Sequence, residues 1–330
     1  MRIIEILYIQ FHLGGNMDSK ITRRDFLKKS THIGVASTLG GSILSGLLRD
    51  PYLHASPGVD IAVAKGADYI EGTGKAVELL GGMTNFVSKG AKVAILPNTQ
   101  RNNPGAFTKP EIVRATIRMC KEAGASEVNC LSWLPRKAWE STGLAAAVEE
   151  EGANLSLVDM KDESLYKAVP LPKGKALKEA KIMKALFEND VFIDMPITKD
   201  HIGNKFTGTM KNYMGLNLQA VNMFFHTGKF KEPDDIPHLD QCIADLNLAV
   251  KPTLCIVDAT EFITTNGPFG PGKLAKPLKI VAGVDRVAID AYCCQLWGLN
   301  PQNIIMIKRA HEHGLGEIDL KKVKIKEISI

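Results

Sequence analysis

Short, continuous apolar runs are what most limit the fold open to this chain. Residues 91–96, 191–195 and 254–257 are apolar at nearly every position rather than at alternate ones, with Lys92 and Asp194 the exceptions. A strand of that kind is buried on both faces, which is the condition of a parallel sheet layered between helices. Strands are expected at 60–64, 91–96, 127–132, 154–158, 191–195, 253–257, 278–282 and 323–328. Helices are expected between them at 74–87, 108–124, 143–151, 174–186, 236–250, 286–297 and 303–313. The second of these has Thr108 as its cap, Pro110 in its first turn and Glu111 three residues on. This alternation implies an α/β fold, a mostly parallel sheet with helices on both faces. It would occupy residues 56–330 as a single large domain or two closely packed lobes, and a chain of 330 residues suits either.

The first 55 residues read as an address rather than as part of that fold. Arg23 and Arg24 precede Phe26, Leu27, Lys28 and Lys29, a soft apolar run follows at 33–48, and Leu53-His54-Ala55 ends the segment. This is the order of a twin-arginine export signal, with cleavage expected after Ala55. The apolar run is shorter than the ~20 residues a membrane-spanning helix needs, and four glycines dilute it. Met17 begins a more typical leader than Met1, so residues 1–16 are expected to be a gene-model extension. The expectation is therefore a protein handled by the twin-arginine machinery, periplasmic or extracytoplasmic, with no stable membrane span after cleavage. That route carries folded chains, which raises the expectation of a bound cofactor without naming one.

Charge and cysteine usage exclude several classes. The formal net charge is +5, but seven Lys/Arg against four Asp/Glu put +3 in residues 1–55 and leave +2 for the body. No basic stripe of the kind nucleic-acid binding requires is present, and no nucleic-acid partner is expected. The six cysteines, at 120, 130, 242, 255, 293 and 294, form no C-x-x-C pair and no four-cysteine run, so no iron–sulfur motif exists in this chain. They read as small buried hydrophobes. In a helix Cys293 and Cys294 would point about 100° apart, against a redox pair. Gly72-Thr-Gly74-Lys75 lacks both the upstream glycine and the following hydroxyl of a P-loop, since Tyr69 and Ala76 stand there.

The chemistry concentrates after strand 191–195. Lys199 and His201 follow its end, and Lys211, Asn212 and His226 come soon after. In open α/β sheets ligands sit beyond the carboxyl ends of the strands, and clustered lysines favour a carboxylate or phosphate. Lys199, His201, Lys211 and His226 are thus candidates for anion holding and acid–base work. His201 and His226 also admit a divalent metal, with Asp258 or Asp290 completing the set. Asp258, at the end of strand 253–257, is equally a metal or hydroxyl ligand and the cap of the next turn. Gly267 and Gly270, in the run Asn266-Gly-Pro-Phe-Gly-Pro-Gly272, either bring backbone to a ligand or turn the chain. Asp285 is placed to cap helix 286–297, and Asp290 in that helix is a buried acid that must be paired or protonated.

Taken together, Ile95-Leu-Pro-Asn98, Asp194-Met-Pro-Ile-Thr-Lys199-Asp-His201, Thr207-Gly-Thr-Met-Lys211-Asn212-Tyr-Met-Gly215, His226, Ile256-Val-Asp258, Gly267-Pro-Phe-Gly270 and Ala282-Gly-Val-Asp285-Arg-Val-Ala-Ile-Asp290 resemble the family called domain of unknown function 362. The resemblance runs from about Asp60 to Asp319. It implies a site by position, at Asn98, Lys199, His201, Lys211, Asn212, His226, Asp258, Asp285 and Asp290, with Gly267 and Gly270 beside it, and no agreed activity. Many relatives carry a ferredoxin-like segment that this chain lacks, and Leu96 stands where relatives usually have a lysine. Three readings stay open: an exported enzyme or cofactor-dependent protein for a small anionic ligand, with or without a divalent metal; a non-catalytic binding or maturation factor of the cell envelope; and a scaffold whose lysines and histidines serve internal hydrogen bonds.

Overall fold

The computed structural model describes residues 58–226 and 235–330; the expected leader and its cleavage point lie outside the described residues. Among those residues the strands are β1 Ile61–Lys65, β2 Lys92–Pro97, β3 Glu127–Ser132, β4 Asn154–Leu157, β5 Tyr166–Pro170, β6 Glu179–Met183, β7 Val191–Met195, β8 Leu254–Ala259, β9 Phe262–Ile263, β10 Leu274–Ala275, β11 Lys279–Gly283 and β12 Ile325–Ser329. The α-helices are α1 Tyr69–Leu79, α2 Pro110–Glu122, α3 Arg136–Ser141, α4 Leu144–Glu150, α5 Thr209–Asn212, α6 Gln219–Phe225, α7 Asp235–Leu246, α8 Arg286–Gln295 and α9 Ile305–Glu312.

Eight strands form one sheet in the order β12-β1-β11-β8-β7-β2-β3-β4. Neighbours are parallel except around β11, which runs antiparallel to both β1 and β8. Successive strand residues face opposite sides, as the pleat requires. Ala94, Leu96, Phe192, Val257 and Val281 pack into a core shared with α7, α8 and α9 on the first face. Val93, Ile95, Ile193, Ile256 and Ala282 pack with α1, α2 and α4 on the second. The continuous apolar runs of the sequence therefore serve two cores at once, and the sheet is mostly parallel with helices around it.

Local chemistry moved several elements from their expected places. Residues 174–186 are not helical: β5 and β6 pair antiparallel, and a 3-10 turn follows at Lys184–Glu188. The buried Asp245 holds the connecting segment, its Oδ2 accepting from Ala176 N at 2.6 Å and Leu177 N at 2.9 Å. That gives those amides partners a helix would otherwise supply. Helix α1 starts earlier than residue 74 because Asp68 caps it, accepting from Ile70 N and Glu71 N. It ends before Gly81 and Gly82, both at positive φ. Thr108 is not the cap of α2: its hydroxyl donates to Met195 O at 2.7 Å and accepts from Asn98 N at 3.1 Å, tying the end of β2 to the end of β7. Asp258 supplies the cap instead, its Oδ2 accepting from Lys109 N at 2.9 Å. All six cysteines are free thiols and buried. No helix among the described residues is long and apolar enough to cross a membrane.

β7 lies centrally, and Phe192 anchors it, fully buried and 5.6 Å from the ring of Tyr213. Phe192→Ala is expected to lower stability by about 3–5 kcal/mol, read as a reduced urea midpoint with unchanged m-value.

Candidate functional site

The chain leaves β2 toward α2 on the second face and leaves β7 toward α5, α6 and α7 on the first. Two adjacent parallel strands whose connections part to opposite faces leave a crevice beyond their carboxyl ends. A cavity of about 340 Å³ occupies that place, walled by segments following β2 (Leu96 to Gln100), β3 (Ser132 to Leu134) and β7 (His201, Ile202, Thr207 and Lys211 onward), with Pro268 and Phe269 closing one side.

Of the residues singled out from sequence, Asn98, His201, Lys211, Asn212 and His226 line this cavity. Lys199 stands just behind it and is fully buried. Its Nζ donates to Asn98 Oδ1 at 3.0 Å and to Ala106 O at 2.6 Å. Asn98 in turn donates to Asn212 Oδ1 at 3.1 Å, and Asn212 Nδ2 donates to Leu96 O at 2.9 Å and Asp194 Oδ1 at 2.7 Å. Burial, reinforced by the Lys211 charge, pushes Lys199 down to about 7. Burial pushes Lys211 down to about 8, against the opposing pull of Asp240. Among the described residues Lys211 is the one lysine on the cavity wall, its Nζ 3.3 Å from Met214 Sδ, and no carboxylate lines the cavity.

The two histidines hold opposite tautomers. His201 Nδ1 accepts from Gly203 N at 3.0 Å, which places the ring proton on Nε2. Burial, then the charge of Lys211, holds this imidazole far below its usual range, so it stays a neutral donor. His226 Nδ1 lies 2.8 Å from Asn222 O, and a carbonyl only accepts, so Nδ1 carries the proton and Nε2 the lone pair. Burial lowers its pKa as well.

The acids expected to complete a metal site are engaged elsewhere. None of Asp258, Asp285 and Asp290 lines the cavity. Asp258 caps α2 and accepts from Thr260 Oγ1 at 2.6 Å, the hydroxyl partner that was one of its expected roles. Asp285 caps α8 through Val287 N and Ala288 N, with Glu317 N on its second oxygen, so it offers a ligand nothing. Asp290 accepts from Thr209 N, Thr209 Oγ1 and Met210 N. Burial raises it to about 7. A Cβ on Gly208 would sit 2.3 Å from Asp290 Oδ1, so the glycine is what lets α5 meet its cap. Gly267 is likewise pressed against Asp200, whose carbonyl oxygen would lie 1.8 Å from a Cβ, and its N–H donates to Asp200 Oδ2; it serves the chain rather than a ligand. Gly270 turns the chain at φ 67°. Among the described residues no group of three or more His, Cys, Asp or Glu converges on a common metal position. With its lone pair on Nδ1 taken, His201 presents a proton and not a metal-binding nitrogen.

Several wall residues escaped the sequence reading. Trp133 and Leu134 follow β3, and the strand-end rule applied to β3 as well as β7 points to them. Thr207 is buried, its main chain pairs with Lys199, and its Oγ1 has no hydrogen-bond partner among the described residues. Met214, Met223 and Phe269 carry no polar signal and could not be separated from core by pattern.

An open α/β sheet with a pocket at its switch point defines the class of protein. Within that class the chain belongs to the family described as Domain of unknown function (DUF362), whose model matches residues 93–295. It is similar to a thylakoid-associated protein, sll1697, of Synechocystis sp. (strain ATCC 27184 / PCC 6803 / Kazusa), 26% identical over 248 residues, 72% of this chain and 73% of the relative. Among solved structures it is similar to the lactate racemase apoprotein from Thermoanaerobacterium thermosaccharolyticum, with 14% identity and a TM-score of 0.43. That likeness covers 79% of this chain and 57% of the racemase, so the chain spans little more than half the racemase's length.

The lowered lysines make a pH signature. Lys199 and Lys211 keep protons in the unfolded chain up to about 10.5 and lose them in the fold near 7 and 8. The unfolded state then binds more protons, and stability rises with pH. Asp240 and Asp290, raised to about 7, act the other way below that pH. The six buried thiols, held high by desolvation, act the other way as pH nears 9, so the melting temperature of the ligand-free protein is expected to rise only between about pH 7.5 and 8.5. In Lys199→Met the rise is smaller, by up to about 1.4 kcal/mol per pH unit.

Proposed function

We propose that this protein binds a small organic anion, a carboxylate or phosphate ester, in the crevice beyond β2, β3 and β7. The observation that carries the reading is the sign of the wall: Lys211 faces the cavity, Lys199 stands behind it, and no carboxylate among the described residues shares it. Thr207 Oγ1 is a further donor for the anion, and Asn98 is held in register by Lys199. His226 lines the same cavity, with its Nδ1 held at Asn222 O. A purely internal role for the lysines fits less well, because a buried amine with a lowered pKa costs stability that an apolar residue would not.

Binding of an anion favours the charged lysines, so affinity should be constant below about pH 7 and weaken by up to tenfold per pH unit as pH rises past about 8. Calorimetric titration with a panel of carboxylates and phosphate esters checks this. Lys211→Met is expected to weaken binding about tenfold to a hundredfold. A panel in which no member binds, at any pH from 6 to 9, ends the proposal.

We also infer export before use, on the strength of the Arg23-Arg24 leader with its soft apolar run and Leu53-His54-Ala55. Replacing both arginines by lysine should leave the protein in the cytoplasmic fraction, and sequencing the amino terminus of the exported form should begin at Ser56. Equal export of the double-lysine variant would refute the leader.

A further inference from the structure

The cavity runs opposite to the usual order of a protein surface. Its depth is polar: Thr207, His201 and Asn212 are buried on its wall, beside Lys211. Its mouth is mostly apolar: Ile202 is 77% exposed, Met223 62% and Phe269 41%, all three line it, and Gln100 is the one exposed polar residue of the described lining. Ile202 and Met223 are the two most exposed large hydrophobic residues among those described. Single apolar side chains on a surface are ordinary, but their convergence around one opening is not. Nor is this rim slack. Ile202 N donates to Gly267 O at 3.1 Å, fastening its loop to the segment that carries Phe269. Arg101 lies over the Phe269 ring at 4.8 Å.

Size points the same way. At about 30 Å³ for each water's share of liquid, 340 Å³ corresponds to roughly eleven waters. A sulfate or inorganic phosphate displaces only a few of these and leaves Trp133, Met214 and the rim facing water. A ligand that fills the space has its charged end at the floor and an apolar body reaching outward.

Resting on the anion-binding reading, we propose that the ligand class is an amphipathic carboxylate, bound head-inward at Thr207 and Lys211 with its hydrocarbon body against Met214, Met223, Ile202 and Phe269. Short or inorganic anions are then poor ligands because they leave the upper half of the site unfilled.

The test is a homologous series, acetate through octanoate together with inorganic phosphate, titrated by NMR into the purified full chain at pH 7. Each added methylene is expected to tighten binding by up to about fourfold until the chain passes the rim. Met223→Ser with Phe269→Ser should flatten that slope; both positions are exposed, so the fold is retained. Lys211→Met should weaken every member by the same factor. If octanoate binds no better than acetate while Lys211→Met still weakens both, the amphiphile proposal falls and the anion reading stands. If the slope persists but Lys211→Met has no effect, the head-inward arrangement falls along with the anion reading. A flat series is also what a rim built to dock another protein would give, and it overturns the proposal equally.

Discussion

Asn212 joins the two strands between which the cavity opens. Its Nδ2 spans Leu96 O on β2 and Asp194 Oδ1 on β7, and its Oδ1 receives Asn98, which Lys199 holds in turn. The chain of bonds is buried along most of its length, where an unmade hydrogen bond costs the full desolvation of the orphaned group. Thr108 adds a second tie between the same strand ends. The crevice is therefore held open by polar groups that have no better partner than one another, and its geometry is fixed before any ligand arrives.

The same burial that orders these groups makes them uncomfortable. Asp194 is held well above the usual carboxylate range by desolvation, with Asn212 partly offsetting it, and its second oxygen has no partner among the described residues. Lys199 and Lys211 are held low for the mirrored reason. A fold selected only for stability would replace such groups with apolar ones of the same volume at little cost. Retaining two depressed lysines beside a cavity that no carboxylate among the described residues lines makes sense if the missing countercharge comes from outside.

Much of this could be read from the sequence, and the failures have physical causes. The runs at 91–96 and 191–195 lie within a residue of β2 and β7, because strands buried on both faces leave no other pattern. Lys211, His201 and His226 were found because they are polar residues after a buried strand. Asp285 caps α8 from the adjacent position, as its place in the sequence implies, whereas Asp258 and Asp290 look the same in sequence yet serve α2 and α5 from a distance, Asp258 reaching Lys109 across 149 positions. The hairpin at 166–183 was hidden because Asp245, far along the chain, decides it. Met223 and Ile202 carry no signal until the mouth they surround is known.

β1 pairs with β11 on one side and β12 on the other, so the first described strand finds both neighbours only in residues 279–283 and 325–329. Contacts across that separation form late, after loop-closure entropy has been met over most of the chain. During synthesis the edge of the sheet nearest the amino terminus must therefore wait for the last residues to emerge. Anything that engages the segment before β1 on the growing chain meets a sheet that is still open along that strand until residues 325–329 have joined it.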